Sequence, residues 1–229
     1  MAATFTAWDI PRYGAPEVLT QVTRPLKDPG EGEVLIRIRA SAVTRADGMM
    51  RAGLPRFARP FLGMMRPRAG LSGTGLSGEV IATGSGVTRF AVGDAVFGEA
   101  GLRFGANATH IALPQDGVLL KKPETLGHDE AAVLSDGALT SWHFLHRVGQ
   151  VRAGQRVLIL AGAGSLGSAA VQIAATVGAR VAASAGARNA DLLAELGADH
   201  VIDYAAEDPL RTGSYDLIFD TIGVTTFAR

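Results

Sequence analysis

The pattern of hydrophobic and polar positions changes near residue 125 and divides the chain into a β-rich first half and a second half in which strands and helices alternate. In residues 33–43, Val34, Ile36 and Ile38 alternate with polar positions such as Arg37. This period of two predicts a strand with one face on a core. Further short strands are predicted at residues 78–83, 94–98 and 109–113, each next to a glycine turn. Short strands at this spacing are typical of a small barrel or sandwich.

In the second half, short apolar runs alternate with longer helical patterns. Helices are predicted at residues 128–134, 139–148, 166–177 and 189–196, and strands at 156–160, 180–184, 200–203 and 215–220. This alternation predicts an α/β fold with a parallel, doubly wound sheet. We therefore expect two domains, at residues 1–125 and 126–229. Residues 51–70 are rich in proline, glycine, arginine and methionine without a clear period, so they are predicted to form a loop.

Composition narrows the functions that the chain can have. The 22 basic residues balance the 22 acidic residues, so the net charge gives no electrostatic reason to expect nucleic acid or an anionic membrane as a partner. The absence of cysteine excludes disulfides, thiolate metal sites and a cysteine nucleophile. The histidines have no metal-binding spacing with nearby acids, so no metal site is predicted. The N-terminus does not resemble a signal peptide, and we expect a cytoplasmic protein with a small-molecule substrate.

Residues 162–167 (GAGSLG) match the pattern G-x-G-x-x-G between a predicted strand and a predicted apolar helix. In such a unit the first glycine permits a tight turn, the second lets the backbone approach a pyrophosphate, and the third lets the helix pack closely on the strand. The free N–H groups at the start of the helix then face the phosphates. A glycine turn that serves packing alone is the alternative. The predicted cofactor-binding residues of this turn are Gly162, Gly164, Ser165, Leu166 and Gly167, with Ser165 as a hydrogen-bond donor to phosphate.

The end of the second strand of this unit favours NADPH over NADH. Sites that prefer NAD usually place Asp or Glu there to bind the ribose 2′-hydroxyl. Residues 182–189 (AASAGARN) contain no acid, and Asp191 should already lie in the next helix. Ser184 and Arg188 can instead bind a 2′-phosphate, the arginine through charge-assisted hydrogen bonds. A solvated residue at the start of the helix is the alternative for Arg188.

Several motifs on both sides of the glycine turn occur in an order that is typical of one enzyme family. They are YGAPEVL at residues 13–19, GEVLIRIRASAVTRA at 32–46, VGDAVFG at 92–98, GALTSWHFL at 137–145, GADHVIDY at 197–204 and YDLIFDTIG at 215–223. With these motifs the chain resembles the zinc-independent quinone oxidoreductase branch of the medium-chain dehydrogenase/reductase family. The first motif is similar to that family's opening strand and turn.

The resemblance implies a GroES-like β-barrel catalytic domain, a Rossmann domain that binds NADP(H), and hydride transfer to a quinone or an activated enone. Thr44 and Asp47 are the catalytic residues that it implies. Thr44 stands where many such reductases carry Asn, and Asp47, at a commonly acidic position, could equally cap the next helix. Thr140 resembles a residue near the nicotinamide and Tyr204 one near the adenosine phosphate, with packing as the alternative for each. Zinc-dependent relatives need cysteine, so the resemblance implies an enzyme without zinc.

The resemblance also implies a longer chain, because a complete Rossmann sheet would need about two more strands after residues 215–220. We therefore expect a C-terminally truncated chain whose Rossmann sheet is incomplete and has an exposed edge. A homodimer stays open, since related proteins often pair through strands that would follow residue 229. Two other functions also stay open: a catalytically inactive NADP-binding homologue or fragment, and a zinc-independent NADP alcohol dehydrogenase.

Overall fold

The computed structural model describes residues 3–68, 70–223 and 225. Contacts divide the chain into two compact units, one that ends at Ser135 and one that begins at Asp136. The first unit contains antiparallel sheets and the second a parallel sheet. The change of hydrophobic pattern along the chain therefore corresponds to a real change of architecture.

A five-stranded antiparallel sheet forms the centre of the first unit. The strands of this unit are β1 (Thr4–Asp9), β2 (Thr20–Pro25), β3 (Glu33–Ser41), β4 (Gly75–Thr83), β5 (Ala95–Glu99), β6 (His110–Pro114) and β7 (Leu119–Lys121). The sheet has the order β6-β3-β4-β5-β7, while β1 and β2 pair with each other. Val34 and Ile36 of β3 are fully buried beside Leu76 and Val80 of β4. The alternation that predicts β3 is thus the alternation that fills this core.

The described residues of the first unit form the helices α1 (Arg45–Ala52), α2 (Arg59–Leu62) and α3 (His128–Leu134). A capping box begins α1, because the Thr44 hydroxyl accepts from the Asp47 N–H and the Asp47 carboxylate accepts from the Thr44 N–H. The helix ends at Gly53, whose φ of 67° is left-handed. The prediction of a loop over residues 51–70 is therefore wrong in part. Helical turns as short as α2 do not contain enough residues to show a period of 3.6.

The opening of the chain also differs from the expected opening strand and turn. Residues 13–19 form a bend and a 3₁₀ turn at Pro16–Val18, and the strands lie on either side, as β1 and β2. Most residues of these two strands are partly or fully exposed, so they lack the alternation that identifies β3. Strand β7 was missed because it has only three residues.

The second unit is a parallel sheet with the strand order β10-β9-β8-β11, which confirms the predicted doubly wound arrangement. Its strands are β8 (Arg156–Leu160), β9 (Arg180–Ala185), β10 (His200–Asp203) and β11 (Leu217–Asp220). Every residue of β8 after Arg156 is buried, as expected for a central strand covered on both faces. Val157 and Ile159 of β8 pack with Ala170 and Val171 of the helix that follows.

The helices of the second unit follow the prediction closely, but the first is wound irregularly. Residues 135–148 form π-helical turns at Ser135–Leu139 and His143–Val148, separated by α4 (Thr140–Trp142). The other helices are α5 (Ser165–Val177) and α6 (Ala190–Glu195). Short 3₁₀ turns lie at Arg56–Ala58, Gly101–Arg103, Ala187–Asn189 and Pro209–Arg211. π-Helical turns are often found at functional sites, and the first of these contacts the start of α5.

Candidate cofactor and substrate sites

The glycine turn joins the carboxyl end of β8 to the start of α5. Gly167 packs so tightly there that a Cβ would lie 2.2 Å from the carbonyl oxygen of Ala161. At Gly162 a Cβ would lie 3.0 Å from the Cβ of Ala183, on the neighbouring strand β9. The turn, the strand and the helix are therefore packed as the spacing of the glycines predicts.

Gly164 differs from the other two glycines because the fold does not force it to be glycine. It is exposed, its φ is −79°, and a Cβ would meet only the Ala161 carbonyl oxygen, at 3.3 Å. The N–H groups that follow it begin α5, a helix of 13 residues. Such a helix start attracts anions through its free N–H groups and its dipole. The missing side chain at Gly164 thus leaves the backbone open to a phosphate.

The position of this turn in the sheet is the usual one for a ligand. Strand β8 lies between β9 and β11, so the strand order reverses beside it. Ligands of doubly wound sheets bind outside the carboxyl ends of the strands at this reversal. Among the residues that could hold a dinucleotide, Gly164 and Ser165 are exposed at that end. The site is therefore built from the sheet topology as well as from the motif.

Ser165 has a different hydrogen bond in the structure from the one that the sequence predicts. Its hydroxyl donates to the Asp136 carboxylate, with 3.1 Å between the two oxygens. Gly137 makes this approach possible, since a Cβ there would lie 2.4 Å from the Ser165 carbonyl oxygen. A phosphate bound at this turn would therefore meet the backbone N–H groups first, with the Ser165 hydroxyl directed toward an acid. Leu166 contributes its carbonyl oxygen, which accepts from the Ser141 hydroxyl at 2.7 Å.

Ser184 and Arg188, the predicted 2′-phosphate ligands, differ in their access to solvent. Ser184 is buried, and its hydroxyl accepts from the Ala161 N–H at 3.2 Å. This hydrogen bond joins β9 to the start of the glycine turn. Arg188 is exposed in the 3₁₀ turn after β9. Tyr204 is also exposed, and its hydroxyl would lie 3.4 Å from a Cβ at Gly186. Arg188 and Tyr204 are thus exposed near the end of β9, whereas Ser184 is buried within that strand.

Thr140 lies in α4 and is half-buried, on the helix whose next residue, Ser141, is hydrogen-bonded to the start of α5. This places it on an element fixed to the glycine turn. Its predicted place near a nicotinamide stays a prediction.

Asp220 was not identified from the sequence, although it ends β11, the strand beside the turn. Burial raises the pKa of its carboxyl group, but hydrogen bonds from the N–H and hydroxyl groups of Thr225 and from the N–H groups of Ile222 and Gly223 outweigh burial and lower the pKa to about 2. The signal in the sequence is an aspartate at the end of a strand, because aspartate side chains commonly accept from the backbone N–H two residues later. Asp220 therefore holds the backbone that follows β11.

The low pKa of Asp220 predicts a loss of stability in acid. A carboxyl group whose pKa is lower in the folded state stabilises the fold above its unfolded pKa, near 3.8, and loses this contribution as the pH falls toward the folded value. We expect about 1 to 2 kcal/mol to be lost on acidification, allowing for solvent screening. Urea unfolding followed across the acid range should show a smaller loss for Asp220→Asn than for the unchanged protein. Equal losses in the two proteins would contradict this assignment.

A second candidate site is a cavity of about 740 Å³ in the first unit. The cavity brings together residues of β1 and α1 with residues from four other parts of the chain, at 16–21, 41–44, 72 and 107–109. Its lining includes Trp8, Leu19, Val43, Thr44, Asp47, Arg51, Ser72 and Asn107. The two residues predicted to be catalytic, Thr44 and Asp47, thus both line this cavity.

Thr44 and Asp47 are bonded to each other in that cavity. The Asp47 Oδ2 accepts from the Thr44 N–H at 2.8 Å and from its hydroxyl at 3.3 Å. The helix-capping role that the sequence left open for Asp47 is therefore present, whereas its catalytic role stays a prediction. Asp47 is buried, and its Oδ1 has no hydrogen-bond partner among the described residues.

Asn107 and Arg51 are cavity residues that sequence reasoning missed. The Asn107 side-chain amide donates to the Ser72 hydroxyl at 3.2 Å, while its Oδ1 has no partner in the described part of the chain. Arg51 lies one helical turn after Asp47, and its guanidinium donates to the Gly14 carbonyl. No spacing in the sequence connects Asn107 with α1, because only the fold of the barrel segments brings them to the same cavity.

Two features are absent from the described residues. No group of three histidine, aspartate or glutamate side chains is arranged to hold a metal ion. No helix in this part of the chain is long and apolar enough to cross a membrane.

Comparison with known proteins identifies the family. A family described as "Alcohol dehydrogenase GroES-like domain" matches residues 30–124, and one described as "Zinc-binding dehydrogenase" matches residues 165–229. The structure of a quinone oxidoreductase from Coxiella burnetii is similar to 96% of this chain and is covered to 69% of its own length, with 32% sequence identity and a TM-score of 0.86. The chain belongs to the medium-chain dehydrogenase/reductase family and is quinone oxidoreductase-like. The predicted family and the fold class, a GroES-like domain with a Rossmann-type sheet, are confirmed.

Two further members of this medium-chain family show the range of similarity. The mitochondrial NAD(P)H oxidoreductase RTN4IP1 of Mus musculus is 31% identical over 96% of this chain. The Escherichia coli quinone oxidoreductase, whose structure is complexed with NADPH, is 28% identical over 89% of this chain with a TM-score of 0.77. The chain spans about 60% of the length of the first of these relatives and 60% of the second.

Proposed function

We propose that the protein is an NADPH-dependent oxidoreductase that transfers hydride to a quinone or an activated enone without using zinc. The observation that carries this proposal is the open backbone at Gly164, which begins α5 at the reversal of strand order. A pyrophosphate can approach the backbone there because Gly164 has no side chain and a Cβ at this residue would meet only the Ala161 carbonyl oxygen. The similarity to NAD(P)H oxidoreductases and to a quinone oxidoreductase with NADPH supports the same cofactor class.

The residues of this chain would hold the cofactor and the substrate, while the bound NADPH would supply the hydride. The N–H groups at the start of α5 would bind the pyrophosphate, and Arg188 the 2′-phosphate. In the first unit, the Thr44 hydroxyl would release its 3.3 Å hydrogen bond to Asp47 and donate to the oxygen of the bound quinone or enone. This hydrogen bond would stabilise the negative charge that develops on that oxygen. Trp8, Leu19 and Val43 provide apolar walls for a quinone or enone.

Arg188 provides the test of cofactor preference. Its exposed guanidinium makes no ion pair with a described residue, so Arg188→Gln removes a charge without freeing an acid. We expect NADPH to bind about 10- to 100-fold more weakly, since a charge-assisted hydrogen bond is lost, and NADH to bind as before. Titration calorimetry with both nucleotides would measure this. Arg152→Gln, on the surface of the same unit, is the control, and equal weakening of NADH would contradict a 2′-phosphate contact.

The activity is tested by following NADPH oxidation with a quinone, an enone or no acceptor present. We expect acceptor-dependent oxidation that persists after a metal chelator is added. Thr44→Val should lower kcat/KM about tenfold or more, and Thr44→Ser should retain most of it, because only the hydroxyl is needed. NADPH binding without turnover on any acceptor would favour the second candidate.

The second candidate is an NADP-binding protein without catalysis. The capping bonds between Thr44 and Asp47 favour it, because they give both residues a structural purpose. A zinc-independent alcohol dehydrogenase is distinguished by alcohol-dependent reduction of NADP. A cytoplasmic location and a homodimer stay predictions, which fractionation and light scattering of the purified protein would test.

A further inference from the structure

The first unit contains a strongly basic stretch at residues 45–68, here named the arginine-rich segment. It has six arginines and a single acid, Asp47, although the whole chain balances 22 basic with 22 acidic residues. None of these arginines forms an ion pair with a described residue. The neutral net charge therefore conceals a local concentration of positive charge.

The same segment exposes large apolar side chains. Phe57, Phe61, Met64 and Met65 are 80%, 78%, 66% and 85% exposed. Soluble proteins scatter single apolar residues over their surface, but exposed apolar groups gathered in one place mark an interaction surface. None of these four side chains lines the 740 Å³ cavity of the first unit, because Arg51 is the last residue of α1 in its lining.

Side-chain hydrogen bonds from Tyr13 and Arg59 reach the backbone of the arginine-rich segment at Gly63 and Gly53. The Arg59 Nε donates to the Gly53 carbonyl at 2.9 Å, and its guanidinium lies 4.6 Å from the centre of the Tyr13 ring. The Tyr13 hydroxyl donates to the Gly63 carbonyl at 2.6 Å. Arg59 is thus anchored, whereas Arg45, Arg56, Arg66 and Arg68 are exposed in the same segment as the apolar side chains.

We propose that the arginine-rich segment docks on an anionic lipid surface. Its phenylalanine and methionine side chains would enter the boundary between headgroups and acyl chains, and the exposed arginines would bind lipid phosphates. Charge complementarity favours this occupant over a second copy of the chain, since two such segments would repel each other. This departs from the expectation drawn from net charge, which averages the segment with an acidic remainder.

Co-sedimentation of the purified chain with lipid vesicles tests the proposal. Vesicles of phosphatidylcholine alone are compared with vesicles that contain about one-third phosphatidylglycerol, at low and at high salt. We expect binding to the anionic vesicles only, weakened by salt. Arg56→Gln/Arg66→Gln should weaken partitioning about 25-fold, and Phe57→Ser/Phe61→Ser about tenfold or more.

Matched controls change similar residues elsewhere on the surface. Arg152→Gln/Arg180→Gln removes two exposed arginines of the second unit, and Val92→Ser/Leu102→Ser removes two exposed apolar side chains of the first. Both controls should bind vesicles as the unchanged chain does. Failure of the unchanged chain to bind anionic vesicles would overturn the proposal, as would equal losses in controls and test variants. Dimerisation in solution that is lost in Phe57→Ser/Phe61→Ser would also overturn it, in favour of a second copy as occupant.

Discussion

Gly167→Ala is expected to reverse the usual effect of replacing glycine by alanine inside a helix. At an unobstructed helical position this change stabilises by roughly 1 kcal/mol, because alanine has the higher helix propensity. At Gly167 the new Cβ would lie 2.2 Å from the Ala161 carbonyl oxygen and 2.7 Å from the Gly162 Cα. Both neighbours are backbone, so α5 must move away from β8. We expect the free energy of unfolding of the second unit to fall by about 2 to 3 kcal/mol.

Gly48→Ala is the matched control for this prediction. Gly48 also lies inside a helix, α1, and a Cβ there would meet nothing within 4 Å. The same chemical change should therefore raise the stability of the first unit by about 0.5 to 1 kcal/mol. Urea unfolding of both variants, followed by a signal from each unit, would measure the two effects. A Gly167→Ala protein as stable as the unchanged chain would show that the tight packing of α5 on β8 is absent.

Gly164→Ala is expected to separate cofactor binding from folding. The N-cap position of α5 tolerates alanine at a cost of about 1 kcal/mol, since only the Ala161 carbonyl oxygen lies near the new Cβ. The methyl group would nevertheless occupy the space through which a pyrophosphate reaches the N–H groups of the helix. We expect NADPH affinity to fall about 30-fold or more, which corresponds to about 2 kcal/mol of lost phosphate contacts.

Calorimetric titration with NADPH and thermal unfolding of the same sample would test this separation. Gln172→Ala, on the exposed face of α5, should leave both the affinity and the melting temperature nearly unchanged. If Gly164→Ala binds NADPH as the unchanged chain does, then the phosphate does not approach α5 at this residue. If instead it unfolds the second unit, then Gly164 is needed for packing, as Gly167 is.

The sequence predicted those elements whose local pattern and tertiary environment agree. Strand β3 shows a period of two because one of its faces lies on the core, and β8 is a continuous apolar run because it is buried on both faces. Strands β1 and β2 are mainly exposed, and for that reason they show no alternation. Helix α1 was foreseen only as the helix that Asp47 could cap, without bounds, although the spacing of Thr44 and Asp47 is that of a capping box.

The hydrogen-bond partners and the burial of the candidate site residues depended on the fold and could not be predicted from the motifs. The bond of Ser165 to phosphate stays a prediction, and the structure adds that a tight contact at Gly137 brings the Asp136 carboxylate to its hydroxyl. Ser184 and Arg188 were both predicted to bind the 2′-phosphate. In the structure Ser184 lies in β9 and is bonded to the Ala161 N–H, whereas Arg188 lies in the turn after β9. Asn107 could not be connected with α1 from the sequence, since more than fifty residues separate them and only the fold of the first unit brings them to the same cavity.

The glycine spacing at residues 162–167, together with the apolar strand before it and the apolar helix after it, predicted a strand, a turn and a helix arranged as in dinucleotide-binding proteins. The order of the surrounding motifs identified the family, and the absence of acid at the end of β9 predicts a preference for NADPH, which stays a prediction. Only the tertiary structure decided which glycine is required by packing, Gly167, and which leaves room for a ligand, Gly164. The physical reason is that a sequence specifies how far each residue lies along the chain, whereas steric contact depends on which atoms the folded backbone brings within van der Waals distance.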